Sequence, residues 1–304
     1  MTNGIINIYK EKGYTSHDVV AKMRGILKMK KIGHTGTLDP DAEGVLPVCI
    51  GKATKVVDLI VEKDKTYEAV LKLGLVTDTQ DMTGTIISTA KVDVSLDQIR
   101  QAVNGFIGGY NQIPPMYSAL KVNGKKLYEL ARQGMEIERK PRRVDIHDIQ
   151  ILGYNPLLNE VKLRVDCGKG TYIRTLLYDI GEVLTCGGAM KSLVRTKVGS
   201  FLISESLRLD RVEEYVSNET INNHIILVED MFVSYPKVVV ESEYHKLIYN
   251  GNKFCEEHID KMLSQFDDID NIDLVRVYDS EGAFIGIYRY VNEEKKFTAE
   301  KMFL

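Results

Sequence analysis

The chain has no stretch approaching the ~20 consecutive apolar residues of a membrane span. Its first ten residues, MTNGIINIYK, lack the apolar core of a secretory signal. Cysteine is sparse, and Cys49, Cys167, Cys186 and Cys255 form no C-x-x-C pair and follow no regular spacing. That argues against a disulfide framework or a zinc site, and for reduced thiols in a cytoplasmic protein. An excess of one charge is also missing: 40 Lys and Arg face 43 Asp and Glu, a formal net of −3 over 304 residues. With 44% hydrophobic residues, this balance excludes a disordered chain and allows a sizeable core. At ~100–200 residues per domain the length predicts two domains, or one large domain with an appendage.

What is present is unevenly spread. Residues 236–304 hold 9 basic and 14 acidic side chains, while the preceding residues hold 31 and 29. Within the first part, Lys22, Arg24, Lys28, Lys30 and Lys31 run without an intervening acid. Lys121, Lys125, Lys126, Arg132, Arg139, Lys140, Arg142 and Arg143 form a second group. Such patches can follow a polyanion on a neutral protein, or simply be solvated faces. Thr15 with Asp18, then Val19, Val20, Met23, Ile26 and Leu27, predicts a capped amphipathic helix ending near Lys28. Residues 31–51, rich in Gly, Thr, Asp and Pro, read as a loop. Tyr67, Ala69, Leu71 and Leu73 alternate as a strand, and so do Val161, Leu163, Val165 and Cys167. Helices are expected after Ser95, over Lys125–Gln133, Thr171–Leu184 and Glu205–Tyr215, and a strand pair or bend over Met190–Ile203. With no internal repeat, this intermingling predicts a mixed α+β domain. A boundary near Ser234–Pro236, an acidic segment over 256–273 and a hairpin around Ser280–Gly282 point to a small β-rich module after it.

The segment Gly33-His-Thr-Gly-Thr-Leu-Asp39-Pro-Asp-Ala-Glu-Gly-Val-Leu-Pro47 is the most informative. As an EF-hand it fails, because Ile50 stands where the bidentate Glu is needed. As a phosphate-binding loop it fails as well, since Gly51-Lys52 is followed by Ala53 and preceded at the required spacing by Leu46. It could be an ordinary connection. However, Asp39 precedes proline and is bracketed by glycines, which favours a carboxylate held in a tight bend.

The stretch Gly33 to Lys55 resembles the signature of TruB-type tRNA pseudouridine synthases, which form pseudouridine 55 in the T-loop. The likeness continues in Lys65-Thr-Tyr67, Gly74, Thr77-Asp-Thr-Gln-Asp81 and Pro114-Pro-Met-Tyr-Ser-Ala-Leu-Lys121. It runs on through Leu127-Tyr-Glu-Leu-Ala-Arg132, Gly170-Thr-Tyr-Ile-Arg-Thr175 and Leu193-Val-Arg-Thr196. Gly168 departs from the family's usual Ser, and the C-terminal module matches the family's PUA-like RNA-binding module only loosely. The resemblance implies a mixed, mostly antiparallel catalytic core over residues 1–235, with an RNA-gripping insertion at about 110–145, and a PUA-like module over 236–304. It implies a stand-alone, monomeric, cytoplasmic enzyme acting on the T-arm of tRNA, with no cofactor, metal, membrane or obligatory protein partner.

By the same resemblance Asp39 is the catalytic carboxylate, acting on C1′ or on the C2′ proton. Arg174 is its partner, expected to lower its pKa, and Tyr67 stacks on the base. His34, Asp81, Tyr172 and Leu193 belong to the pocket. Lys22, Lys28, Lys31, Lys121, Lys125, Lys126, Arg132, Arg142 and Arg143 are expected to contact RNA. Two alternatives compete: a non-catalytic tRNA-binding or folding protein on the same fold, and a carboxylate-dependent nucleosidase.

Overall fold

The computed structural model describes residues 3–122, 124–264 and 273–304. Strand β1 (Gly4–Lys10) leads into helix α1 (Ser16–Leu27), where the predicted capping box forms: Thr15 and Asp18 each accept the other's backbone N–H. The reciprocal cap satisfies two groups that helix geometry leaves unpaired. Val19, Val20, Met23 and Leu27 bury one face of α1 against Ile6, Ile8 and Leu46.

Residues 31–51 depart from the expected single loop. Strands β2 (Ile32–His34) and β3 (Glu43–Ile50) flank a shorter loop, residues 35–42. Val45, Leu46, Val48, Cys49 and Ile50 are all fully buried, so β3 shows no alternation in sequence, and Pro47 reads as a breaker.

After helix α2 (Val57–Val61), strand β4 (Lys65–Leu73) realises its alternation, with Tyr67, Ala69, Leu71 and Leu73 all buried. A hairpin of β5 (Leu75–Thr77) and β6 (Ile86–Thr89) precedes α3 (Leu96–Asn104), which is capped by Ser95 and Gln98. Strand β7 (Gly108–Gln112) opens the insertion, which contains β8 (Lys121–Val122), β9 (Lys125–Lys126) and α4 (Leu127–Ala131) around Met116, Leu127 and Leu130. Strands β10 (Arg142–Asn155) and β11 (Glu160–Cys167), helix α5 (Ile173–Val183), strands β12 (Gly188–Val198) and β13 (Phe201–Leu202), and helix α6 (Leu209–Ser217) follow. Helix α6 starts four residues later than expected because Leu207 pairs with β1 through Asn7 and Tyr9.

Nine strands form one sheet in the order β1-β3-β12-β4-β11-β10-β7, with β2 beside β3 and β13 beside β12. Among the described residues, its one parallel strand pair is β12 with β3. Ile173, Leu176, Leu177 and Ile180 of α5 pack on Leu71, Leu163 and Val165, forming the main core.

A second sheet comprises β14 (Lys237–Val240) and, beyond α7 (His245–Tyr249), β15 (Phe254–Cys255), β16 (Leu274–Asp279), β17 (Phe284–Val291) and β18 (Lys296–Met302). The expected turn at Ser280–Gly282 joins β16 to β17. Ile287 and Phe303 share a hydrophobic cluster with Phe232, Ile5 and Val45, so the second sheet packs on the first body. Residues 265–272 of the acidic segment lie outside the described residues.

Candidate active site

The loop of residues 35–42 is held by its backbone. Thr35, fully buried, donates its N–H and its hydroxyl to the Pro47 carbonyl. Leu38 N–H donates to Ser16 Oγ at 2.9 Å, and the Asp39 carbonyl accepts from Ala42 N–H at 3.1 Å. Two buried cations complete the frame. Lys10 Nζ donates to the carbonyls of Pro40 (3.1 Å) and Ala42 (2.6 Å). Arg195, 1% exposed, donates to the carbonyls of Val45 (2.8 Å) and Gly36 (3.2 Å). Gly44 allows this approach: at φ +105° a Cβ there would lie 2.2 Å from the Arg195 carbonyl oxygen.

From this frame the Asp39 carboxylate meets Arg174 on the first turn of α5. Arg174 Nε lies 3.0 Å from Oδ2, and Nη2 donates to Oδ1 at 3.3 Å, a two-point fork. The other donors reach the Thr79 carbonyl (3.2 Å), Asp81 Oδ2 (3.4 Å) and the Tyr117 carbonyl (2.8 Å). The Arg174 side chain is 6% exposed and that of Asp39 38%, so the arginine is fixed in the wall and the carboxylate opens outward. Asp81 Oδ1 accepts from Thr79 Oγ1, Thr83 N–H and Thr83 Oγ1, and so is itself held.

The expected lowering by Arg174 is present but outweighed. Asp39 titrates above the usual carboxylate value: burial raises it, Arg174 opposes that and Asp81 adds to it, so the arginine does not produce a net lowering. A carboxylate with a raised pKa is a stronger base and nucleophile once ionised.

Tyr67 is buried on β4 with Leu38 and Leu193 in one cluster. Burial raises its phenol, and the nearby Arg195 guanidinium pulls it back. Tyr172, just before α5, is raised by burial and lowered by Arg142 and Arg174. His34 sits at the rim, where its Nε2 lies 3.3 Å from His17 Nδ1 and its Nδ1 accepts from Gly36 N–H. Burial, then His17 and Arg195, lower it to about 4, so it is a neutral imidazole.

The structure thus brings Asp39, Arg174 and Asp81 into direct contact and sets Tyr67 and Leu193 in the cluster beside Leu38, with Tyr172 within reach of the Asp39 charge. Of the basic candidates, Arg142 bears on this centre through the Tyr172 phenol. Lys22, Lys28, Lys31, Lys125, Arg132, Arg142 and Arg143 are exposed, and Lys126 is half-buried. Lys126 and Arg132 both lie over the Tyr128 ring. The Lys121 side chain lies outside the described residues. Lys10 and Arg195 were not singled out in sequence. Their signal was strand parity: Lys10 shares a face with Ile6 and Ile8, and Arg195 with Leu193.

Among the described residues no three His, Cys, Asp or Glu side chains converge as metal ligands would, and no helix is long and apolar enough to cross a membrane. All four cysteines are free thiols, and burial pushes Cys49 and Cys167 up to about 12.

A mixed sheet carrying a framed aspartate, forked by a buried arginine and floored by tyrosine and leucine, defines a class that comparison with known proteins identifies. The profile described as TruB family pseudouridylate synthase (N terminal domain) matches residues 24–173, and that of the tRNA pseudouridylate synthase B C-terminal domain matches 174–233. A protein of Lachnoclostridium phytofermentans named tRNA pseudouridine synthase B is 57% identical over 310 residues, covering 99% of this chain and all of that one. One of the same name from Clostridium perfringens SM101 is 44% identical, covering 99% of each. A solved H/ACA RNP bound to a substrate RNA containing 2′-deoxyuridine aligns with TM-score 0.72 at 26% identity, over 99% of this chain and 85% of that one. A Cbf5-Nop10-Gar1 complex aligns with TM-score 0.71 at 28% identity, with the same coverage. The chain belongs to the TruB family of pseudouridylate synthases.

Proposed function

We propose that this chain isomerises uridine 55 in the T-loop of tRNA to pseudouridine, acting alone on the T-arm, with Asp39 as the catalytic carboxylate. The observation that carries the reading is the two-point fork of the buried Arg174 on Asp39, which aims one carboxylate outward from a pinned loop. The relatives' shared name supports tRNA as substrate. The catalytic body spans residues 1–235, and the module over 236–304 packs against it.

Uridine 55 must leave its stack to reach Asp39, at a cost of a few kcal/mol that contacts from the protein offset. Its N1–C1′ bond breaks with the electron pair going to N1. The base turns within the site, C5 supplies the pair that rejoins C1′, the C5 proton is lost and N1 takes one up. Nothing is consumed in this sequence. Asp39 acts at the sugar, as nucleophile on C1′ or as base on C2′–H, and deuterium at C2′ separates the two routes by its isotope effect. Tyr67 offers the stacking face and a hydroxyl, beside Arg195, to assist loss of the C5 proton. Leu38, Tyr67 and Leu193 form an apolar wall that keeps water from the sugar. His34, neutral, supports the everted strand by hydrogen bonding.

The test is incubation with unmodified tRNA transcript, digestion to nucleosides and chromatography. Pseudouridine at position 55 is expected. Free uracil would indicate a nucleosidase instead, and bound but unchanged tRNA a folding or binding protein.

A further inference from the structure

Gln112 is the last residue of β7 and the point at which the chain enters the insertion; it is 1% exposed. Its amide grips one residue twice: Oε1 accepts from Tyr172 N–H at 2.8 Å, and Nε2 donates to the Tyr172 carbonyl at 3.0 Å. Nε2 also donates to the Tyr110 hydroxyl, which lies within electrostatic reach of Asp179 of α5. Tyr172 has no side-chain cap of its own, and its carbonyl accepts the first bond of α5, from Leu176 N–H. Gln112 therefore caps α5 from outside, sixty residues away in sequence.

Two further contacts give this clamp a direction. Gln112 pairs in the sheet with Arg142, where the chain leaves the insertion. Beyond it, the Tyr117 carbonyl accepts from Arg174 Nη2 at 2.8 Å. Both roots of the insertion are thus tied to the turn that carries Tyr172 and Arg174. Only a residue with one donor and one acceptor at glutamine's reach serves both Tyr172 backbone groups. Alanine would leave the Tyr172 N–H without its acceptor, and an ionised glutamate would set an oxygen against the Tyr172 carbonyl where an N–H now donates.

We propose that Gln112 is a positioning residue, fastening the root of the insertion to the first turn of α5 so that RNA held by the insertion sets the aim of Arg174 at Asp39. This rests on the catalytic reading of Asp39 and Arg174 above.

The test measures single-turnover pseudouridine formation on unmodified tRNA transcript, tRNA affinity and thermal unfolding for the full chain. Gln112→Ala is expected to slow conversion by about tenfold or more while affinity stays within about twofold. In an Arg174→Lys background, removing Gln112 should add less than about twofold, because both changes disturb the same aim. An unchanged rate overturns the proposal. So does a loss explained wholly by a smaller folded fraction, or full additivity with Arg174→Lys. Should Gln112→Ala not fold, Gln112→Glu preserves side-chain volume and the acceptor for Tyr172 N–H. It is expected to slow conversion about fivefold, and a wild-type rate would overturn the proposal. Turnover by Asp39→Asn would sink the catalytic reading itself; normal Gln112 variants beside an inert Asp39→Asn would sink only the clamp.

Discussion

Residues 35–42 and residues 113–141 both connect strands of one sheet, yet they are built on opposite plans. In the first, the backbone of Thr35, Gly36, Leu38, Asp39, Pro40 and Ala42 is engaged by buried side chains or by neighbouring backbone. In the second, Met116, Leu127 and Leu130 make a small core, and cationic side chains stand at the surface around it. Chemistry at a sugar carbon tolerates little displacement of the reacting group, whereas a grip on phosphates can be shared among many mobile charges. The difference teaches where single substitutions act. In the loop they should change rate, and in the insertion they should change affinity.

The sharpest way to break this comparison is Asp39→Asn. It should abolish product, by more than about 1,000-fold, with tRNA affinity nearly intact. A parallel loss of binding would place Asp39 in the grip. The stability effect has a definite sign. The folded carboxyl titrates above its unfolded value, so the folded state binds more protons between the two values and stability falls as pH rises through that window. At neutral pH the neutral Asn removes that cost, and the melting temperature should hold or rise. The same raised value places the acid limb of the rate profile above the pH at which a free aspartate titrates.

Next in size is Arg195→Met. It leaves the Gly36 and Val45 carbonyls without their buried donor and removes the guanidinium from the Tyr67 hydroxyl. Loss of a buried, hydrogen-bonded charge that holds backbone costs about 2–4 kcal/mol, read by denaturant unfolding, and conversion should slow by at least about tenfold. Normal turnover would mean that the frame is dispensable.

These cations also show what sequence could and could not deliver. The capped helix at Thr15, the alternation on β4 and the ordered motifs carrying Asp39, Asp81 and Arg174 were legible because each has a local period or spacing. Strand β3 was not, since full burial on both faces erases alternation. Lys10 and Arg195 were passed over because charged residues are assigned to the surface by default, although strand parity puts both on the buried face. The direction of the Asp39 shift was beyond reach for another reason. It is a contest between burial, Asp81 and Arg174, and only three-dimensional placement weighs them.

Lys10 gives a smaller, pH-resolved effect. Burial lowers it to about 8 against the pull of Asp39, so the ammonium that holds Pro40 and Ala42 is lost above that pH. Turnover should decline above pH of about 8. Stability moves the other way: the unfolded chain binds the extra proton between about 8 and 10.5, so stability rises across that window. Lys10→Met should flatten the alkaline limb in a pH–rate series. A limb that survives unchanged would assign it to another group.

The least effect is expected in the insertion, and it sharpens the contrast by its kind. Lys125 is exposed on β9, and no ion pair with a carboxylate is found for it among the described residues. Removing one such charge from a phosphate contact path should weaken tRNA binding only a few-fold. It should also make the slope of log affinity against log salt shallower by about one. Filter binding across a salt series reads both. A salt slope left intact would remove Lys125 from the path of the RNA, and the division between a framed loop and a distributed grip would have to be redrawn around the cations that remain.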